Sequence, residues 1–107
     1  NGYQNTAMLL KEHPDIDAIV CATDTIALGA VQYLNKHGNN IPSKVAVAGF
    51  GNNTAGQVLM HPLTTIRFFY KECGMEGAKM LLEKLANPDA PCKSLMLGYE
   101  ICEGSSV

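Results

Sequence analysis

The spacing of apolar residues changes several times along the first half of the chain. It predicts a helix over residues 3–12, which ends before Pro14. The run 16–22 is short and almost wholly apolar, which is typical of a buried strand. Helical spacing then resumes at Asp24, which we expect to be the N-cap, and Gly38 supplies the stop. The pattern therefore predicts helix, strand and helix in the first forty or so residues.

A second buried strand is predicted at 45–50, again without a charged residue in its interior. Strand, helix and strand in this order indicate a βαβ unit in a parallel sheet. A short helical turn is expected within 54–60 and a strand over 63–68. The chain should thus be an α/β protein.

A longer helix is predicted from Tyr70 to Leu85, because apolar residues form one stripe at helical spacing there. Gly74 and Gly77 lie on that stripe. Since glycine lowers helix stability by roughly 1 kcal/mol relative to alanine, we expect another backbone to approach closely at both positions. Residues 94–103 then predict one or two further strands.

Composition restricts the possible functions. The net charge of the 107-residue chain is −2, and its 8 lysines and arginines are scattered, which argues against a nucleic-acid surface in this segment. No apolar run approaches the roughly 20 residues of a membrane helix, and residues 1–12 lack a signal-peptide pattern. We therefore expect a cytoplasmic protein without membrane association.

The four cysteines are Cys21, Cys73, Cys92 and Cys102, and none forms a C-x-x-C pair. We interpret them as reduced thiols that pack as small hydrophobic side chains. A disulfide framework is the alternative, but nothing else in the sequence suggests secretion.

Polar residues cluster where the two predicted parallel strands end. Thr23 and Asp24 follow the first strand, and Gly51, Asn52 and Asn53 follow the second. Open parallel sheets bind ligands beyond the carboxyl ends of their strands, and these groups can hydrogen-bond a sugar or another polar molecule. The alternative is that they only cap helices and form turns, which use the same residue types.

Signals for catalysis are weak. His13, His37 and His61 lie in or beside predicted turns, without a carboxylate or cysteine at motif-like spacing. No zinc-protease, nucleophile-elbow or phosphate-loop motif is present, so we expect no catalytic residue, metal or cofactor. An enzyme that uses Asp17 or Asp24 remains the alternative, and turnover of a sugar would favour it.

Four segments, in this order and spacing, resemble the effector-binding core of the LacI/GalR family of transcriptional regulators. They are residues 17–30 (DAIVCATDTIALGA), 45–50 (VAVAGF), 62–67 (PLTTIR) and 77–85 (GAKMLLEKL). The Thr23-Asp24-Thr25 variant is more similar to sucrose-operon repressors than to other branches. The resemblance implies a parallel-sheet sandwich of the periplasmic-binding-protein-like type I core, present here as a C-terminal fragment without a DNA-binding headpiece.

The family's core has two lobes, which implies a division of this chain. Residues 1–67 would belong to the C-terminal subdomain, 68–97 would be a crossover helix and strand of the N-terminal subdomain, and 98–107 would return to the first. The crossover helix would then expose its apolar stripe, and we expect the isolated chain to dimerise, swap segments or be marginally stable.

The resemblance also implies roles for individual residues. Thr23, Asp24, Gly51, Asn52 and Tyr70 would bind the effector, a sugar or sugar phosphate. Many members have an asparagine at the position of Thr23 and an aspartate at that of Gly51, so Asn52 or backbone amides would substitute for the missing carboxylate. Tyr70 would pack on a face of the sugar.

Leu28, Val58 and Leu59 match the family's dimer surface, although Leu28 could equally be an ordinary core residue. The implied protein is a homodimeric repressor that contacts operator DNA only through the headpiece, and effector binding would rearrange its lobes. An extracytoplasmic sugar-binding protein of the same fold is the alternative, which an upstream signal peptide in place of a headpiece would favour.

Overall fold

The computed structural model describes all 107 residues, which form two compact units. The first unit comprises residues 1–67 and 100–107, and the second comprises residues 68–99. In chain order the elements are α1 (Gly2–Glu12), β1 (Ala18–Val20), α2 (Asp24–Lys36), β2 (Ala46–Ala48), α3 (Thr54–Gln57), β3 (Thr65–Phe68), α4 (Tyr70–Ala86) and β4 (Tyr99–Cys102). All the predicted helices are present, and the strands are shorter than predicted.

The first unit is built around the predicted parallel βαβ unit. β1 and β2 pair in parallel, with Ile19 opposite Val47, and Ala48 makes a further parallel bridge to Thr64. Side chains on one face of this sheet, such as Ile19 and Val47, are buried in the core together with those of α2. On α2 the buried residues are Asp24, Ala27, Ala30, Val31 and Leu34.

Two glycines allow α1 and α2 to pack at very short distance. A Cβ atom on Gly29 would lie 2.7 Å from the backbone nitrogen of Tyr3, and one on Gly2 would lie 2.1 Å from the carbonyl oxygen of Ile26. Neither distance is possible for real atoms, so the helix crossing requires glycine at both positions.

The C-terminal segment ties β2 to the residues before β3. The Ser106 hydroxyl is fully buried, donates to the carbonyl of Val47 at 2.6 Å and accepts from the backbone amide of Thr64 at 2.8 Å. The amide of Val47 in turn donates to the carbonyl of Ser106. Gly104 fits only because it has no side chain, since a Cβ would lie 2.1 Å from the carbonyl oxygen of Pro62.

The second unit consists of the last residue of β3, Phe69, α4, the chain that follows it and the first residue of β4. No residue of α4 is buried, and its leucines are exposed. Lys84 donates to the carbonyl of Ala90, and Lys93 pairs with Glu83, so that residues 90–93 fold back along the helix. A cavity of about 600 Å³ lies between them.

Three local predictions are wrong. The N-cap of α2 is Thr23 rather than Asp24, because the Thr23 hydroxyl accepts the free amide of Ile26 while Asp24 already lies in the helix. No atom lies within 4 Å of a Cβ built on Gly74 or Gly77, so no backbone of this chain approaches them. All four cysteines are free, but only Cys21 is packed as a hydrophobic residue, while two are exposed on the second unit.

None of the helices combines the length and the hydropathy that a bilayer-spanning segment needs.

Candidate functional site

The carboxyl ends of β1 and β2 carry the polar residues that the sequence singled out. Thr23 follows the first strand, is exposed, and accepts the amide of Ile26 at 3.3 Å. Because a hydroxyl both donates and accepts, Thr23 keeps a proton to donate to a ligand. The amide of Asp24 donates to the carbonyl of Phe50 at 2.8 Å and joins the two strand ends directly.

Asp24 itself lies beneath the carboxyl ends of β1 and β2, which form the polar edge of the first unit, and it is only 2% exposed. Its Oδ1 accepts the hydroxyl of Thr65 and its Oδ2 accepts the backbone amide of Asn53, both at 2.6 Å. Distances this short are typical of hydrogen bonds to a charged acceptor. Gly49 makes room for the carboxylate, because a Cβ there would lie 2.3 Å from Oδ1.

The loop after β2 turns through left-handed backbone conformations. Gly51 has φ 120° and Asn52 has φ 52°, which glycine and asparagine tolerate best. The amide of Gly51 donates to the carbonyl of Ile66 at 2.8 Å, and the amide of Asn52 donates to the Thr65 hydroxyl at 3.2 Å. Gln57 donates to the side-chain Oδ1 of Asn52 at 3.2 Å. The side-chain nitrogen Nδ2 of Asn52 is therefore the donor that this residue can offer to a ligand.

These groups can hydrogen-bond a polar molecule. Residues 22–26 and 49–57 contain no lysine or arginine, so the edge offers hydroxyl and amide groups above one buried carboxylate. Such a surface suits the hydroxyl groups of an uncharged ligand better than a phosphate. The structure has no group of three or more histidine, cysteine, aspartate or glutamate residues placed to hold a metal ion.

The structure brings four of the five proposed effector-binding residues together. Thr23, Asp24, Gly51 and Asn52 lie at one edge of the first unit, joined by the hydrogen bonds above. Tyr70 belongs to the second unit, where it begins α4, is exposed, and lies with its ring 5.9 Å from that of Phe68.

Sequence reasoning missed Thr65 and Gln57, and it named Asn53 without its structural role. Asn53, Thr65 and Gln57 each bond to Asp24 or to the Gly51-Asn52 turn. The capping role of Asn53 could have been found, because an asparagine before Thr54 is a good N-cap and its side chain does accept the amide of Ala55 at 2.9 Å. The partnership of Thr65 with Asp24, 41 positions away, leaves no local signal.

The three residues proposed for a dimer surface differ in exposure. Val58 is 84% exposed, Leu28 is half-buried, and Leu59 is partly buried against the core. Met60, beside them in sequence, is 90% exposed. A protruding apolar pair at 58 and 60 is compatible with an interface, whereas much of the Leu59 side chain already packs within its own unit.

Cys21 lies just before the site, and its thiol is held in the neutral form. Burial is the main cause that raises its pKa, and the carboxylate of Asp24 raises it further. A buried thiol with a raised pKa is a poor nucleophile. This cysteine therefore has a packing role.

The first unit is an α/β fold with polar groups gathered at the carboxyl ends of its parallel strands. In agreement, residues 2–107 match the family described as periplasmic binding protein-like domain. The chain belongs to this family, in the form found in LacI-type transcriptional regulators, which predominate among its similar proteins. Relatives such as RegA, IdnR and PurR are all described as HTH-type transcriptional regulators or repressors.

Three similar proteins illustrate the match. The HTH-type transcriptional regulator RegA of Clostridium acetobutylicum is 35% identical over 106 residues, which is 99% of this chain and 31% of RegA. The structure of the transcriptional regulator CelR in complex with cellobiose has a TM-score of 0.93 and 26% identity, and the match covers 99% of this chain and 32% of that one.

The structure of the lac repressor dimer bound to operator and an anti-inducer has a TM-score of 0.86 and 25% identity. The match covers 98% of this chain and 36% of the lac repressor chain. The chain thus spans about a third of the length of the proteins that it matches.

Proposed function

We propose that this chain forms one wall of the effector site of a LacI-type transcriptional repressor and that the effector is an uncharged sugar. Thr23, Gly51 and Asn52 would contact the sugar hydroxyls, and Asp24 would act from beneath them. Tyr70 is also kept as a proposed effector-binding residue.

The observation that supports the proposal best is the shared edge. The carboxyl ends of β1 and β2 meet at one place in the first unit. The groups that lie there are the hydroxyl of Thr23, the side-chain Nδ2 of Asn52 and the backbone of Gly51. This is the part of a parallel sheet where ligands bind. The absence of lysine and arginine from both loops favours a neutral sugar over a sugar phosphate on this wall.

The proposed action is a population shift. A sugar that binds one conformation of the regulator more tightly than another shifts the equilibrium between them by its difference in affinity. Coupling energies of about 1–3 kcal/mol are usual for such regulators. The regulator would be a homodimer that includes Leu28, Val58 and Leu59 in its interface, and it would contact operator DNA through a headpiece outside this sequence.

Titration calorimetry against a panel of sugars tests the proposal. The panel contains sucrose, cellobiose, lactose and glucose 6-phosphate. We expect heat of binding with at least one neutral sugar, and a loss of about tenfold or more in affinity when Asn52→Ala or Thr23→Val removes one hydrogen-bonding group.

Asn35→Ala is the matched control, because Asn35 is exposed on α2 away from the strand ends and its replacement should leave the affinity unchanged. Binding of the phosphate sugar alone would contradict the neutral class. Absence of heat with the whole panel, or equal affinity of Asn52→Ala and the unaltered chain, would contradict the proposed site.

A further inference from the structure

We infer that Asp24 is a positioning residue that holds the Asn52-Asn53 turn in its ligand-binding shape without contacting the ligand. The inference rests on the proposed function for what the turn binds, but the positioning itself is independent of any ligand. It assigns to Asp24 a role that differs from a direct contact with the sugar.

The burial of Asp24 argues against direct contact. Only 2% of the residue is accessible, and each carboxylate oxygen already accepts a short hydrogen bond from the protein. A ligand hydroxyl would have to reach a carboxylate that the protein encloses almost completely. A buried carboxylate depends on such partners, because without them its charge is strongly destabilised.

The network transmits the position of Asp24 to the turn along two routes. The first is direct, since Oδ2 accepts the amide of Asn53 at 2.6 Å. The second passes through Thr65, whose hydroxyl donates to Oδ1 and accepts the amide of Asn52 at 3.2 Å. Two consecutive amides of the turn are therefore oriented by one carboxylate. The amide of Gly51, in contrast, donates to the carbonyl of Ile66 and is independent of Asp24.

The conformation of the turn explains why it needs this support. Asn52 has a left-handed φ of 52°, and holding a non-glycine residue there requires surrounding contacts. Gln57 orients the Asn52 carboxamide, but its bond acts on the side chain only. The carboxylate of Asp24 is thus the group that anchors the backbone at 52 and 53.

Amide hydrogen exchange in the absence of ligand tests this inference. In Asp24→Asn one oxygen is replaced by a donor, so at least one of the two routes is lost. We expect the amides of Asn52 and Asn53 to exchange about tenfold faster or more. The amides of Gly51 and Val47 donate to carbonyls that do not involve Asp24. Their exchange rates should therefore stay close to those of the unaltered chain.

Further variants separate positioning from a general loss of stability. Thr65→Val breaks the second route and should release the amide of Asn52 more than that of Asn53, whereas Thr65→Ser should restore most of the protection. Gly49→Ala displaces the carboxylate sterically and should reproduce Asp24→Asn. Asp15→Asn, a change of the same type at an exposed turn residue, is the matched control.

Two results would overturn the inference. One is equal acceleration at Asn53 and Val47 in Asp24→Asn, which would mean that Asp24 only stabilises the unit as a whole. The other is unchanged exchange at both Asn52 and Asn53. Because no sugar is added, either result can be told apart from a failure of the proposed sugar site, which the calorimetric panel measures separately.

Discussion

Each of the two units contains a helix with an apolar stripe, but the two helices differ greatly in how many of their residues are buried. α2 buries five of its 13 residues against the sheet and α1, whereas α4 is longer, at 17 residues, and buries none. Both have an apolar stripe at helical spacing. The comparison shows that periodicity is sufficient to predict a helix, but that burial depends on which partner the rest of the fold supplies.

The largest expected effect comes from truncating one leucine in each unit. Leu34 on α2 is 0% exposed, and Leu82 on α4 is 65% exposed. Leu34→Ala should lower the free energy of unfolding by about 2–5 kcal/mol, because it leaves a cavity in the core. Leu82→Ala should change it by no more than about 0.5 kcal/mol. Urea unfolding followed by circular dichroism measures both, and equal effects would contradict the comparison.

The glycines of the two units should respond in opposite directions. Gly29→Ala pushes a Cβ into the backbone of α1 and should destabilise the first unit by about 1–3 kcal/mol. Gly77→Ala meets no atom within 4 Å and should stabilise α4 by roughly 0.5–1 kcal/mol through helix propensity. Thermal unfolding should show a lower midpoint for the first variant, and a raised midpoint would disprove the close helix crossing.

The hydrogen bonds of Ser106 in the first unit offer a change of similar size. Ser106→Ala leaves the amide of Thr64 and the carbonyl of Val47 without the hydroxyl, which should cost about 1–3 kcal/mol. The neighbouring Ser105 is exposed, so Ser105→Ala serves as the control and should be nearly neutral. Chemical unfolding of the two variants gives the comparison, and a neutral Ser106→Ala would show that the hydroxyl does not hold the strands together.

The smallest effect is expected from the thiols. Cys73 and Cys92 in the second unit are exposed and should react readily with a thiol reagent, whereas Cys21 should react only on unfolding.

Since folding raises the pKa of Cys21, the unfolded chain loses this proton at lower pH than the folded chain. Its contribution to stability is therefore complete below the unfolded pKa and is lost as the pH rises through the folded pKa. Unfolding measured across the alkaline range should show this decline, and Cys21→Ala should remove it.

The sequence was a good guide to local structure and a partial guide to the site. Apolar spacing predicted α1, α2 and α4, and the order of strand, helix and strand predicted the parallel pairing of β1 with β2. The order of strand and loop placed Thr23 and Asn52 at one edge, because parallel strands end on the same side.

What could not be predicted depends on distant contacts. Asp24 precedes a helix and so was expected to cap it, but its partners lie 29 and 41 positions away. Gly74 and Gly77 suggested a close backbone neighbour, although none exists in this chain, whereas the close neighbour occurs at Gly29. Spacing along a helix does not reveal which face meets another element.

The central claim is that the turn at 51–53 and the start of α2 form one sugar-binding surface. Its most direct test is to follow the amide chemical shifts of the isotope-labelled chain by NMR. The titrant is the sugar that gives the largest heat of binding in the calorimetric panel. We expect the largest shifts to occur together at Thr23, Gly51 and Asn52 and to saturate with one affinity. Shifts at only one of the two loops, or mainly elsewhere in the first unit, would contradict it.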